Sequence, residues 1–280
     1  MNRKNLDRMI VIILLIQLCL AGGCEDVSAA KNPPKPSPQS AEQKTQQENR
    51  LDEILGRLNE SAANLKTYQC RIEYLFQQPL FDSQTLRTGK MYYLRNADDS
   101  LLRINFQTIQ QDEQPQEEYI EQYVFDGVWL TRIDYQLKQI KMYQLIDPND
   151  LADNQSIDAF DLITEHLPIV GFTRTDKLKK DFDIELIETK TSDADTTDKL
   201  QMKVKPDSIY AENYTSIDFV IDKKFSLPKS ITAFSVEDDF YRFNFIEPKV
   251  NEKLDREIFK LQIPDGFPPP EINPLQKKSD

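Results

Sequence analysis

Imidazole is nearly missing from this chain: His166 is the only histidine in 280 residues. A site built on several histidines is therefore excluded, and His166 has no metal-ligand partner at useful spacing. Glycine is scarce too, with seven residues. There is no Gly-rich phosphate loop, no G-x-S-x-G nucleophile elbow and no zinc pattern. Basic charge is in deficit, with 35 Lys and Arg against 47 Asp and Glu, a net of -12. That balance makes a poor surface for nucleic acid or anionic lipid headgroups, and its plain meaning is solubility. Long apolar runs are lacking as well. "MIVIILLIQLCLA", residues 9–21, is an uncharged run of thirteen and too short for a comfortable membrane span.

That run follows Arg3, Lys4 and Arg8, so residues 1–23 have the form of an export signal. Two cleavage points stay open. "LAGGC", ending at Cys24, resembles a bacterial lipobox, with Ala21 where Leu is usual, and would make Cys24 a lipid anchor; "SAA" before Lys31 suits an ordinary signal peptidase. Under either cut Cys70 alone is left of the three cysteines, or is joined only by an acylated Cys24. It cannot form an intramolecular disulfide, and it reads as a small buried residue on a strand. Loss of the leader leaves 32 basic against 46 acidic residues.

Within residues 24–47, "KNPPKPSPQSAEQKTQQ" is rich in Pro, Ser and Gln without apolar periodicity, the composition of an extended, solvated tether. The domain should span residues 48–267, large enough for one substantial core. It opens with Leu51, Ile54, Leu55, Leu58, Ala62 and Leu65 at three- and four-residue spacing, an amphipathic helix. The period then becomes two, through "TYQCRIEYLFQ", "TGKMYYLRN", "SLLRINFQTIQ", "EYIEQYVF", "VWLTRIDYQ" and "QIKMYQLI". A helical insert, "SIDAFDLITEHLPIVGF", stops at Pro168, and five more strand-like runs follow. Residues 268–280 read as an irregular tail. The sum is a mainly β, α+β chain with one antiparallel sheet of ten or eleven strands, too many to stay flat.

The hairpin "VFDGVWL" sets Val124, Val128 and Leu130 against Phe125 and Trp129, so both faces are apolar. Such a strand pair is covered on both sides: helices on one, a core or a cavity on the other. An ordinary hydrophobic core explains the pattern as well as a ligand does. Acidic residues are so abundant that no catalytic carboxylate pair stands out. Runs such as "VEDDF", and Asp181, Asp183 and Glu185, suit solvated strands better than calcium sites. The chain reads as a protein without catalysis, metal or cofactor.

The order of "LDEILGRLNESAANLKTYQCRIEY", "TGKMYYLR", "LLRINF", "FDGVWLTRIDYQLKQI", a Leu-rich insert, "SLPKSI" and "FNFIEPKVNEKLDREIFKLQIPDGF" resembles the LolA/LolB-type outer-membrane lipoprotein carriers and their lipoprotein-sorting relatives. The similarity runs from Leu51 to Phe267 and rests on the order of loose motifs. The resemblance implies an unclosed β-barrel, a curved antiparallel sheet capped by helices, whose cavity takes acyl chains of lipoproteins or lipids. It also implies that Arg103 hydrogen-bonds to a helical lid, and that Tyr93, Ile104, Phe106, Trp129 and Leu130, with Phe160 and Leu162 of the insert, line the cavity or its lid. On this reading the protein is an exported, monomeric lipid or lipoprotein binder of the bacterial periplasm. It would be held at a membrane if Cys24 is acylated, would meet other envelope proteins and would have no nucleic-acid partner. The alternative is an envelope sensor that binds a protein or peptide on the same half-barrel.

Overall fold

Leu51, Ile54, Leu55, Leu58 and Ala62 line one side of a helix, and Ile54, Leu58 and Ala62 are at most 2 % exposed. The computed structural model describes residues 38–96, 99–147, 159, 178–188 and 195–275. The chain divides into two units after Ala41. Of the first, only the opening of helix α1, Pro38–Ala63, is described; everything below concerns Glu42–Asp280. The helix begins well before the expected residue 48, because "PQSAEQKTQQ" forms helix without contributing an apolar stripe. Cys24, His166, Phe160 and Leu162 lie outside the described residues, as does the insert apart from Ala159.

Among the described residues twelve strands form one sheet: β1 Thr67–Gln78, β2 Ser83–Arg95, β3 Ser100–Gln111, β4 Glu117–Phe125, β5 Trp129–Asp134, β6 Gln139–Gln144, β7 Phe182–Ile187, β8 Thr197–Val204, β9 Tyr214–Asp222, β10 Leu227–Ser235, β11 Phe240–Val250 and β12 Glu271–Asn273. Their order is β12-β6-β5-β4-β3-β2-β1-β11-β10-β9-β8-β7. All neighbours are antiparallel except the short β12, which runs parallel to β6. The sheet is curved and does not close, so the expected mainly β half-barrel is what the chain forms. There is at least one strand more than the periodicity revealed, since three residues of the supposed irregular tail pair with Lys141, Met142 and Tyr143.

Two meanders, β1–β6 and β7–β11, meet along β1 and β11. Their inner faces share a single core with α1: Leu58, Tyr68, Ile72, Met91, Tyr93 and Phe125 pack with residues such as Leu200, Phe219 and Phe245. A smaller cluster on the outer face joins Leu94 and Leu101 to Phe259, in a 3-10 turn at Arg256–Phe259. The middle of the sheet is thus covered twice, by α1 inside and by the C-terminal segment outside.

That double cover explains the apolar hairpin, with a correction to its faces. Phe125 pairs directly with Leu130 and both belong to the inner core, while Val124 pairs with Thr131 on the other face. The connection spoils the simple alternation: Gly127 takes φ +105°, and Asp126 Oδ1 accepts from the backbone N–H groups of Val128 and Trp129. Trp129, next to Leu130, therefore points outward and is half-buried.

Candidate binding site

The inner face carries most of the residues named from sequence. Tyr93, Ile104 and Phe106 are fully buried and Leu130 nearly so, all in the core under α1. The protein's own side chains close over them in this structure. Trp129 is not among them.

Arg103 sits on the outer face, one residue from Leu102 and Ile104, which face inward. Its Nη1 donates to the carbonyl of Ile258 at 2.7 Å, its Nη2 to Gln122 at 2.9 Å and its Nε to Asn105 at 2.9 Å. These partners belong to the sheet and to the segment at Ile258, and the helical lid that the resemblance implied falls on the insert, outside the described residues apart from Ala159. The one described residue of the insert, Ala159, instead donates its N–H to Ser100 Oγ, which shares the inward parity of Leu102. Within the described residues, what Arg103 holds is the C-terminal segment against the sheet.

Helix α1 is fastened at its rim by charge. Asp198, whose side chain is 4 % exposed, faces Arg50 at 3.3 Å and Arg57 at 3.6 Å from the helix, and Lys223 at 3.6 Å from the strand side. Lys179 pairs with Asp52, and Gln47 donates to the carbonyl of Leu186 at 3.1 Å. At the other end Arg95 Nη2 donates to the last helical carbonyls, those of Ala62 and Ala63, at 2.8 and 2.6 Å. The cations around Asp198 are roughly a third to a half exposed, so each pair contributes at most about 1 kcal/mol.

Farther along the inner face the lining turns polar. Glu121 is fully buried between Arg87, at 2.6 Å, and Arg132, at 2.5 Å, and also accepts from the Tyr123 hydroxyl at 3.2 Å. Arg87 lies over the rings of Phe106 and Tyr119. Sequence reasoning missed this group, because an Arg in "TLRTGK" and a Glu in "YIEQYV" look like solvated strand positions.

Tyrosines crowd the same face. Burial pushes the phenols of Tyr119 and Tyr214 up to about 12, and it raises those of Tyr68, Tyr74 and Tyr123 as well. Unfolded tyrosine ionises near pH 10, so between about pH 10 and 12 the folded state holds more protons than the unfolded one. Stability is therefore present in full below pH 10 and falls as pH rises through the folded values. Urea unfolding followed by circular dichroism should show no loss from these phenols up to about pH 9 and a midpoint that falls above about pH 10, as the unfolded chain ionises first. Burial likewise raises the Cys70 thiol, which stays protonated and unreactive.

A cavity of about 410 Å³ opens where β10 and β11 separate. Tyr68, Val220, Phe225, Leu227, Phe245 and Ile246 form its apolar walls. None of the described cavity residues named from sequence lines it. No signal in the sequence marks it beyond Pro228 and Pro248. Among the described residues no group of His, Cys, Asp and Glu could hold a metal ion, and no helix is long and apolar enough to cross a membrane.

These features define a class: an open antiparallel half-barrel with an apolar inner face under an N-terminal helix. No protein-family model matches the chain, and no curated protein matches its sequence. Solved structures with a similar outline include an uncharacterized conserved protein of Thermus thermophilus, at TM-score 0.45 and 12 % identity over 81 % of this chain and 99 % of that one. The Pseudomonas aeruginosa MucA/MucB complex matches at 0.40 and 13 %, over 75 % of this chain and 60 % of that chain. A LolA superfamily protein from Nitrosomonas europaea matches at 0.33 and 12 %, over 75 % and 97 %.

Proposed function

We propose that this protein binds acyl chains of lipids or lipoproteins in the bacterial cell envelope, without chemical turnover, as a carrier or local chaperone. The observation that carries the reading is the cover of the inner face: an apolar surface lies under one amphipathic helix held at its rim by ion pairs whose arginines are about half exposed. A palmitoyl-sized chain in water costs about 12 kcal/mol, at about 0.8 kcal/mol per methylene. Apolar walls offset that cost, and a weakly latched helix lets the chain in and out. An exported location, with a membrane tether if Cys24 is acylated, follows from the leader read in the sequence.

The test is titration with a fluorescent acyl probe, joined to mass spectrometry of lipids that accompany the protein from a membrane fraction. Saturable binding near one probe per chain is expected. Protein that ignores every acyl probe and carries no lipid would refute the reading. Asp198→Asn should free Arg50 and Arg57, loosen α1 and speed probe entry by roughly three- to tenfold, as loss of about 1 kcal/mol of latch implies. Stopped-flow fluorescence measures that rate.

A second reading, an envelope sensor that binds a protein or peptide, is favoured by one feature. Among the described residues the sheet ends at β7, where an extended peptide can add as a further strand. A pull-down dominated by one protein, from material that binds no acyl probe, would support it instead.

A further inference from the structure

We propose that the cleft between β10 and β11 is the binding site for one uncharged acyl chain, ester- or amide-linked, which enters the half-barrel through the sheet. This deepens the acyl-binding reading and rests on it. Pairing between the two strands ends at Ser230 and Asn244, yet β10 extends back to Leu227 and β11 runs on to Val250. Both strands are irregular where they part. Lys229 is an extra residue in the pairing with β9, between Pro228 and Ser230. Across the gap β11 carries an extra residue in its pairing with β1, between the partners of Gln69 and Arg71, and Glu247 there takes φ +52°. Pro228 and Pro248 have no N–H to donate across the opening. Two bulges facing each other and two prolines keep the sheet from zipping shut.

The opening leads somewhere. Its volume of about 410 Å³ falls within the range of ligand sites. Tyr68, Leu227 and Phe245 belong both to its wall and to the core under α1, so its floor is the apolar interior. Its other lining is polar, with more acid than base among the charged groups: Glu73, Asp222 and Glu247 stand against Lys229, with Arg71 pairing Glu247 at 3.2 Å. Asn244, Ser230 and Lys229 supply donors for a carbonyl oxygen, while the surplus of carboxylates disfavours a free fatty acid. A chain joined through an ester or amide satisfies both conditions.

The test uses tryptophan as a position marker. Trp129 lies on β5 in the other meander, away from the cleft. Phe225→Trp in a Trp129→Phe background places the only indole at the cleft wall, and Lys224 already lies over the Phe225 ring at 4.7 Å, a contact that indole keeps. Binding of a dibrominated stearoyl methyl ester is measured by equilibrium dialysis, and its quenching by fluorescence. Saturable binding should quench the Phe225→Trp signal and leave that of Trp129 in the wild type unchanged. The methyl ester should bind at least about threefold more tightly than the free acid, and filling the cleft with Val220→Trp should weaken it about tenfold. Saturable binding that quenches Trp129 alone, or neither indole, overturns the cleft while leaving acyl binding intact. Failure of every acyl probe to bind overturns both.

Discussion

Replacing Glu121 with alanine should destabilise the fold by about 3–5 kcal/mol, the range for breaking a buried ion pair by removing one partner. Glu121 is fully buried, and two guanidinium groups share its carboxylate. Without it, Arg87 and Arg132 face each other's charge among Phe106, Tyr119 and Tyr123, with no counter-ion of comparable proximity among the described residues. Asp134 does not substitute: it lies 4.0 Å from Arg132 and already accepts from the Tyr119 hydroxyl and the backbone N–H of Leu137. Arg87 Nε is also buried without a partner. The arginine side chains keep 22 % and 34 % exposure, which places the loss toward the lower end of the range. Glu121→Gln, which keeps one acceptor, should cost less. Chemical denaturation followed by circular dichroism measures both, and a Glu121→Ala loss under about 1 kcal/mol would show that the triad is solvated rather than desolvated.

Gly89→Ala should be at least as damaging, with a loss above about 3 kcal/mol or failure to accumulate as soluble protein. A Cβ at Gly89 would sit 2.1 Å from the Asn105 carbonyl oxygen and 2.9 Å from both the Asn105 carbonyl carbon and the Phe106 Cα. All three are backbone atoms of the neighbouring strand, so no rotamer change relieves the clash. Gly89 stands at the bulge between β2 and β3, and the two strands would have to part in the middle of the first meander. Gly56 provides the contrast. It lies in α1 with nothing within 4 Å of its would-be Cβ, and Gly56→Ala should stabilise by about 0.5–1 kcal/mol. Denaturant midpoints of the two variants, compared with wild type, check the pair.

The elements were legible wherever burial imposes a period. Leu51 to Ala62 betrayed the amphipathic helix, though Leu65, placed on it by spacing, falls past its end at Ala63, and the alternation from Tyr68 to Phe76 betrayed β1 with its inward side chains. The first turns of α1 escaped because "PQSAEQKTQQ" has helix-forming residues but no apolar stripe, and β12 escaped because three residues cannot show a period. Facing was harder than existence. The Asp126–Gly127–Val128 connection shifts parity, which is enough to send Trp129 outward while Leu130 points in. Arg103 was found as a residue worth naming, but its partners depend on where residues 256–260 fold back, more than 150 positions away. The cleft was invisible because it arises from two facing bulges in the neighbouring strands β10 and β11, and bulges leave no compositional mark.

The two-meander topology has a kinetic corollary. Within each meander every strand pairs with its sequence neighbour, so these hairpins close short loops and form early. Only at the β1–β11 junction, where Tyr68 meets Val250, do both halves have to find each other across most of the chain. Refolding speed should therefore be governed by that joining of the two meanders, and mutations along it should slow folding more than equally destabilising changes at β4 or β8.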